Sequence, residues 1–261
     1  MRIVTWNINS VRLRAELIGR VAEWLHPDVI CLQETKSPDE HFPREAFARF
    51  GYTHLAISGM KAYNGVAIAS RLPLKAVRNN NFVAREDCRH IQATVEGIEI
   101  HNFYVPAGGD IPDPDENPKF AHKLAFLDET ATWIANVARA RRPMVMVGDL
   151  NVAPLPTDVW SHKQLLNVVS HTPIEVEKLN AVQAAGKWVD AVRHFVPPET
   201  NLYSWWSYRA NDWEASDRGR RLDHVWVTPK LVPNLSEAII LREARGWELA
   251  SDHVPVMVEI R

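Results

Sequence analysis

Five short polar motifs, each beginning where an apolar run ends, constrain this sequence more than any other feature. They are Thr5-Trp6-Asn7-Ile8-Asn9, Leu32-Gln33-Glu34-Thr35-Lys36, Gly148-Asp149-Leu150-Asn151, Leu222-Asp223-His224 and Ser251-Asp252-His253-Val254-Pro255. The end of a buried strand is where a rigid scaffold can present side chains to a ligand. These ends supply carboxylate, amide and imidazole groups, which suit a divalent cation, a phosphate group and an activated water molecule.

The order of apolar runs predicts an α/β fold with mixed sheets. Strands are predicted over residues 2–7, 29–32, 52–57, 65–70, 91–95, 98–105, 144–147, 203–208, 222–228 and 254–260, and helices over 11–25, 43–50, 120–138 and near 175–186. Because strands and helices do not alternate strictly, a sandwich is favoured over a doubly wound parallel sheet. The motifs run from residue 7 to residue 253, so residues 1–261 are predicted to form one domain around one site.

Composition narrows the class of protein. No apolar run approaches the roughly 18 residues of a membrane span, and the opening strand leaves no room for a signal peptide, so no membrane partner is expected. With only two cysteines, Cys31 and Cys88, a disulfide framework is not expected and a cytoplasmic location is predicted. The net charge of −2 alone argues against nucleic acid. However, carboxylates of a metal site count as negative while a bound cation offsets them locally.

The best candidate for a metal ligand is Glu34, directly after a buried strand. Magnesium takes few protein carboxylates and keeps several waters, so Glu34 with Asn7 or Asp252 suits it, whereas zinc lacks suitable His or Cys pairs. The alternative for Glu34 alone is a helix-capping or surface acid.

Asp149 and Asn151 stand two residues apart, so on a strand they share one face. An acid beside an amide can orient a water and bind a phosphate oxygen, and the alternative is an Asx turn that closes the strand. His253 can stabilise a pentacoordinate phosphorane if Asp223 holds its tautomer. Tyr104 can donate to a phosphate oxygen, although a buried structural tyrosine is the commoner case.

Longer segments carry a family resemblance. They are Trp6-Asn7-Ile8-Asn9, Leu32-Gln33-Glu34-Thr35-Lys36, Tyr63-Asn64-Gly65-Val66-Ala67-Ile68, Asn102-Phe103-Tyr104-Val105-Pro106, Gly148-Asp149-Leu150-Asn151-Val152-Ala153-Pro154, Ser204-Trp205-Trp206-Ser207-Tyr208-Arg209, Arg221-Leu222-Asp223 and Ser251-Asp252-His253-Val254-Pro255. In these the chain resembles the exonuclease III family of apurinic/apyrimidinic endonucleases, within the endonuclease/exonuclease/phosphatase superfamily. The resemblance implies a four-layer α/β sandwich, in which two packed mixed β-sheets are flanked by helices.

The resemblance also implies the reaction and its cofactor. It implies a Mg²⁺- or Mn²⁺-dependent enzyme that incises double-stranded DNA 5′ to abasic sites and removes nucleotides or blocking groups from 3′ ends. Separately, nothing in the sequence indicates more than a monomer. Water attacks the phosphorus in line and a 3′-hydroxyl leaves, without a covalent enzyme intermediate.

Residue roles follow from the resemblance position by position. Glu34 is the principal metal ligand, with direct or water-mediated help from Asn7, Asn9 and Asp252. Asp149 activates or orients the water and Asn151 fixes it, and both are further candidates for metal ligands. Tyr104 contacts the scissile phosphate or its leaving oxygen, and His253, oriented by Asp223, binds a non-bridging oxygen. The residues expected to contact substrate are Trp205, Leu222, Arg220 and Lys36, the first two in the wall of a pocket for a flipped-out abasic sugar.

Three positions depart from the family pattern. Ala107 stands where relatives usually carry Asn or Gln, so a contact is lost or supplied by the Gly108-Gly109-Asp110 loop. Ser207 replaces an Asp frequent in bacterial relatives, and Arg220 stands where some relatives have an aromatic residue. The alternative function is a superfamily phosphatase acting on a non-DNA phosphoester, against which Trp205-Trp206 and the Gln33-to-Lys36 segment weigh. A binding protein that kept the fold and lost activity is disfavoured, because every polar position that a phosphodiesterase needs is filled.

Overall fold

Fourteen strands and seven α-helices make up the computed structural model, which describes residues 1–139 and 141–261. The strands are β1 (Arg2–Asn7), β2 (Val29–Gln33), β3 (His54–Ser58), β4 (Val66–Ser70), β5 (Lys75–Arg78), β6 (His90–Val95), β7 (Ile98–Tyr104), β8 (Met144–Asp149), β9 (Val189–Asp190), β10 (Trp205–Trp206), β11 (Gly219–Arg220), β12 (Asp223–Val227), β13 (Leu235–Ile240) and β14 (Val256–Ile260). The helices are α1 (Val11–Arg14), α2 (Leu17–Leu25), α3 (Arg44–Arg49), α4 (Pro118–Val137), α5 (His162–Leu165), α6 (Pro173–Gly186) and α7 (Trp213–Ser216).

The strands form two six-stranded sheets and one short ribbon. The first sheet has the order β13-β14-β1-β2-β4-β3, the second has the order β5-β6-β7-β8-β12-β9, and β10 pairs with β11. Only β1 with β2 and β7 with β8 run parallel; the other neighbours are antiparallel. Both sheets are therefore mixed, as the sequence predicts.

Three layers of apolar side chains hold four layers of secondary structure together. Ile3, Val29, Ile100, Val147 and Val225 belong to the core between the sheets. The outer face of the first sheet packs on α2 and α3, and that of the second sheet packs on α4 and α6. The central strands β2, β4, β8 and β12 are buried along their whole length because both faces of the sheets are covered there. The predicted four-layer sandwich is confirmed.

The helix predicted over 11–25 is interrupted after Arg14, and α2 begins at Leu17. Arg14 is only 7% exposed, and its guanidinium donates to the carbonyls of Ile8, Leu249 and Ala250. Arg14 lies three residues after Val11 and four before Ile18, so it shares the buried face of this segment, and loop carbonyls satisfy its guanidinium there.

Other predicted bounds change near the site. The strand predicted over 203–208 is reduced to β10, and the loop predicted over 209–221 contains α7 and β11. The apolar-rich strand β13 has no counterpart in the prediction. Among the described residues, no helix combines the length and the apolar character that crossing a bilayer requires.

Candidate active site

The polar side chains of the site continue the face of each strand that packs between the two sheets. On β1, Ile3 packs in the inter-sheet core and Val4 on the outer face. Side chains alternate along a strand, so Asn7 projects to the same side as Ile3. By the same alternation, Asp149 follows Val145 and Val147 of the core. The site is thus the polar margin of the inter-sheet core.

Strand direction brings these margins to one edge. Asn7 and Gln33 end the parallel strands β1 and β2, and Tyr104 and Asp149 are register partners at the end of β7 and β8. Because β12 runs antiparallel to β8, its first residue, Asp223, lies opposite Asp149. The start of β14 reaches this edge in the same way beside β1, which carries His253 into the site.

Glu34 lies at the centre of a hydrogen-bond cluster. Its Oε1 accepts from Asn7 Nδ2 at 2.9 Å and from the Tyr104 hydroxyl at 2.9 Å, and Oε2 pairs with Lys36 Nζ at 2.8 Å. Burial opposes ionisation of Glu34, but the charge of Lys36 and the hydrogen bonds from Asn7 and Lys36 outweigh it and lower the pKa. Glu34 is therefore a carboxylate at neutral pH.

The residues around this carboxylate have unusual backbone geometry. Asn9, Glu34 and Lys36 have φ values of 45°, 50° and 50°, in the left-handed region. Such conformations cost of order 1–3 kcal/mol for non-glycine residues and cluster at functional sites.

A second cluster joins His253 to two aspartates. Asp223 Oδ2 lies 2.8 Å from His253 Nδ1, and Asp149 Oδ2 lies 3.7 Å from Nε2. Asp149 Oδ2 also accepts from Asn7 Nδ2 at 2.9 Å and from Asn151 Nδ2 at 3.1 Å. Asn7 therefore bridges the Glu34 cluster and the Asp149 cluster.

The charges of the second cluster are set by burial and by one another. Burial alone would lower the pKa of His253, but Asp223 and Asp149 raise it to about 10, so the ring is an imidazolium at neutral pH. Burial raises the pKa of Asp149 to about 7, with Asp223 adding and His253 opposing. Burial, followed by the charges of Glu34 and Asp149, raises the pKa of the Tyr104 phenol well above its usual value. The site thus holds a cation, a carboxylate that titrates near neutrality and a neutral phenol.

The first cluster also offers oxygen ligands for a divalent ion. Lys36 Nζ lies 2.8 Å from Glu34 Oε2 and 2.6 Å from Asn9 Oδ1, and Asn9 Nδ2 donates to Asp252 Oδ1 at 3.1 Å. A cationic group is therefore already held between a carboxylate and a carboxamide oxygen. Hard oxygen donors of this kind fit Mg²⁺ or Mn²⁺.

Asp149, Asp223 and His253 form a second acidic and histidine group, with ligand atoms within 4.8 Å of one another. A histidine must be neutral to bind a metal, and the raised pKa of His253 opposes this. The Glu34 side is the better match to a hard divalent ion.

A cavity of about 640 Å³ opens beside both clusters, lined by Glu34, Asp149 and His253 on one side. Trp205, Arg220 and Leu222 form the adjoining wall, and the backbone of Trp205 pairs with that of His253. Trp205 Nε1 donates to Asp252 Oδ2 at 3.0 Å, and the Arg220 guanidinium lies 5.3 Å from the centre of the Trp205 ring. The sequence-predicted substrate residues therefore line one cavity, except Lys36, which is bound to Glu34 and Asn9.

Known proteins match this chain over its whole length. The model of the Endonuclease/Exonuclease/phosphatase family matches residues 4–253. This chain belongs to that family. Exodeoxyribonuclease III of Haemophilus influenzae is 29% identical to it, with 100% of both chains covered.

Solved structures of the family agree with the fold in detail. An AP endonuclease from Archaeoglobus fulgidus gives a TM-score of 0.92 at 32% identity, covering 100% of this chain and 99% of that chain. The 3′ phosphatase NExo from Neisseria, bound to a product DNA hairpin, gives 0.91 at 30% identity with the same coverage. The relatives named exodeoxyribonuclease III and AP endonuclease are hydrolases. As a member of the same family, this chain is an enzyme.

All three departures from the family pattern, Ala107, Ser207 and Arg220, line the cavity. Ala107 presents no polar group there, but Gly109 and Asp110 of the adjoining loop also line it. Asn117 Nδ2 holds this loop by donating to the Gly108 carbonyl at 2.9 Å. Ser207 lines the cavity as well.

Sequence reasoning missed residues that hold the candidate site residues in place. Asn102 on β7 donates to the carbonyls of Leu32 and Ala67 and accepts from Gln33 Nε2 at 2.6 Å, which joins the two sheets directly behind Glu34. Ser204 Oγ donates to Asp223 Oδ2 at 2.7 Å. Both residues stand within the recognised motifs, but only the fold shows what they touch.

Sequence reasoning also missed a buried ion pair below the cavity, because neither of its residues belongs to a recognised motif. Lys123 of α4 and Glu175 of α6 form a salt bridge, and both side chains are 0% exposed. Lys123 Nζ also donates to the carbonyls of Asn151 at 2.8 Å and Ala107 at 3.2 Å. Glu175 accepts from the Ser170 amide, so one pair fixes three segments around the cavity.

Proposed function

We propose that this chain is a metal-dependent DNA-repair phosphodiesterase of the exodeoxyribonuclease III type, which incises DNA 5′ to abasic sites and removes nucleotides or blocking groups from 3′ ends. The observation that carries the proposal is that Glu34, Asp149 and His253 come together where strands of both sheets end. They line one cavity with Trp205. The exodeoxyribonuclease III and AP endonuclease relatives support DNA as the substrate.

In this proposal Asp149 and Asn151 orient a water molecule for in-line attack on phosphorus. Asp149 accepts the proton of that water, which suits a carboxyl whose pKa lies near 7. The His253 imidazolium stabilises a non-bridging oxygen as charge develops. The P–O3′ bond breaks with its electron pair on O3′, and Tyr104 donates a hydrogen bond to the phosphate or to this leaving oxygen.

A divalent ion would be held by Glu34, with Asn7, Asn9 and Asp252 as direct or water-mediated partners. When bound, it would supply Lewis-acid stabilisation of phosphate charge. We propose Mg²⁺ or Mn²⁺ as the ion, double-stranded DNA with abasic sites or 3′ ends as the partner, and a monomer in the cytoplasm as the working form.

Cleavage of labelled duplexes tests the proposal. One duplex carries a central abasic site and the other is intact with a recessed 3′ end, and both are incubated in magnesium and in chelator. We expect magnesium-dependent incision at the abasic site and resection of the recessed end. Absence of both products would contradict the proposal and favour a phosphatase acting on a non-DNA phosphoester.

A further inference from the structure

Two consecutive arginines, Arg220 in the cavity wall and Arg221 buried behind it, have opposite electrostatic surroundings. Arg221 is 1% exposed, and its guanidinium pairs with Asp158 at 2.8 Å and Asp190 at 2.7 Å. Arg220 forms no salt bridge with any carboxylate in the part of the chain that the structure describes. Arg221 is thus a structural cation with two counter-ions, whereas Arg220 has none.

Arg220 is nevertheless held firmly. Its Nη1 donates to the Val169 carbonyl at 2.9 Å and to Ser170 Oγ at 2.7 Å, and its guanidinium stacks on Trp205. The Nε group is buried without a hydrogen-bond partner among the described residues. Burial lowers the pKa of Arg220, and the charge of Glu175, which forms no salt bridge with it, offsets this only in part.

The position of Arg220 places its guanidinium in the cavity where the proposed reaction occurs. Arg220 lines the same cavity as Glu34, Asp149 and His253, and its stacking partner Trp205 is hydrogen-bonded to Asp252. If the proposed function holds, this part of the cavity receives whatever lies on the 3′ side of the scissile phosphorus. That group is a neutral deoxyribose at an abasic site and an anion at several kinds of blocked 3′ end.

The two kinds of substrate differ in what they do to Arg220. A neutral sugar packed against the guanidinium removes water from it without supplying a charge, which is unfavourable. An anionic oxygen instead forms a charge-assisted hydrogen bond, the stronger class of hydrogen bond. The wall of this cavity therefore favours an anion over a neutral sugar.

We propose that Arg220 makes this enzyme selective for 3′ ends that carry a small anionic blocking group over internal abasic sites. The shared chemistry is a terminal oxyanion, supplied by a 3′-phosphate or by the carboxylate of a 3′-phosphoglycolate. In both cases water adds to phosphorus and the P–O3′ bond breaks. The products are a 3′-hydroxyl with inorganic phosphate in the first case and with phosphoglycolate in the second.

Three duplexes test this selectivity: one with an internal abasic site, one with a recessed 3′-phosphate and one with a recessed 3′-phosphoglycolate. We compare kcat/KM for the wild type, Arg220→Met and Arg220→Lys. In Arg220→Met we expect the preference for at least one anionic end over the abasic site to fall by about tenfold or more. Arg220→Lys restores part of that preference because it keeps the charge.

Arg218→Met is the matched control. Arg218 lines the same cavity but stacks on Trp160, with its guanidinium 4.7 Å from the ring centre. The Arg218→Met variant is expected to change kcat/KM for the three substrates by similar factors. Equilibrium binding in chelator of hairpins ending in 3′-phosphate or 3′-hydroxyl supplies a readout independent of turnover, and only Arg220→Met should abolish the preference for the phosphate.

The outcomes separate the inference from the proposed function. If the wild type cleaves the duplexes but Arg220→Met leaves the ratios unchanged, or lowers all three equally, the selectivity of Arg220 is refuted while the nuclease stands. If the wild type forms no product from any duplex, the proposed function fails, and the hairpin binding comparison still decides whether Arg220 prefers an anionic end.

Discussion

The catalytic edge, meaning the strand ends that carry Glu34, Asp149 and His253, adjoins the wall of the cavity, but the two are built on different principles. At the edge, side chains stand at the ends of strands in two packed sheets, and the charged groups have partners: Glu34 with Lys36, and His253 with Asp223. At the wall, Trp205 and Arg220 come from the two-residue strands β10 and β11, and Arg220 has no counter-ion among the described residues. In the proposed function, a rigid scaffold therefore holds the groups for chemistry, whereas recognition depends on short, loop-like segments.

The largest expected effect lies at the edge. Asp149→Asn keeps the shape of the side chain but removes the proton acceptor, so we expect single-turnover cleavage of an abasic duplex to fall by about 10³-fold. Binding of the same duplex in chelator should persist. Asp128→Asn, which alters an exposed carboxylate paired with Lys178, is the control and should cleave normally. Retained cleavage by Asp149→Asn would remove Asp149 from the mechanism.

The buried pair Lys123–Glu175 supports edge and wall together, so its loss should damage both. Lys123→Met leaves Glu175 buried without its counter-ion, and we expect the free energy of unfolding to fall by about 3–5 kcal/mol. Adding Glu175→Gln removes the stranded charge and should recover part of that loss. Denaturant unfolding measures both variants, and a single variant as stable as the wild type would show that the pair is not needed for stability.

Removal of the metal-side carboxylate should affect the edge without changing the wall. We expect Glu34→Ala to raise the magnesium concentration for half-maximal cleavage by about tenfold or more, because oxygen ligands set the affinity for hard ions. Titration with Mn²⁺, followed by electron paramagnetic resonance, tests binding directly. Glu16→Ala, at an exposed carboxylate paired with Arg49, is the control. An unchanged titration would exclude Glu34 as the main ligand.

The smallest expected effect is a displacement of the pH profile. Cleavage needs ionised Asp149 and protonated His253, so kcat/KM should rise with pH through about 7 and fall through about 10. Asp223 raises both pKa values, so Asp223→Asn should move both limbs of the profile to lower pH. Ser204→Ala removes a hydrogen bond to Asp223 without changing its charge and should move the limbs much less. Limbs that stay in place in Asp223→Asn would mean that other groups control the profile.

The catalytic edge was predictable because its signal is local. A polar residue directly after a buried apolar run, as at Asn7, Glu34 and Asp149, indicates a strand end, and the family resemblance supplied the roles. The mixed α/β sandwich followed from the same runs, and its four layers were implied by the family resemblance. The functional roles of these residues stay predictions until the variants are measured.

The supporting contacts were not predictable because their partners lie far apart along the chain. Lys123 and Glu175 are 52 residues apart, and Arg221 and Asp158 are 63 apart, with no periodic pattern linking them. The pairing of Trp205 with Arg220 rests on two-residue strands, which are too short to produce an alternation. Lys36 was expected to contact substrate, but the structure shows its ammonium bound to Glu34 and Asn9.

The closeness of β1 and β14 has a consequence for synthesis of the protein. Ser251 Oγ donates to the Asn7 carbonyl at 2.7 Å across a separation of 244 residues. Domains form as units while a nascent chain lengthens, yet His253 is made long after Asn7. A ribosome that stalls before residue 252 therefore yields a polypeptide that lacks both Asp252 and the His253 imidazolium, and under the proposed mechanism such a fragment cannot cleave DNA.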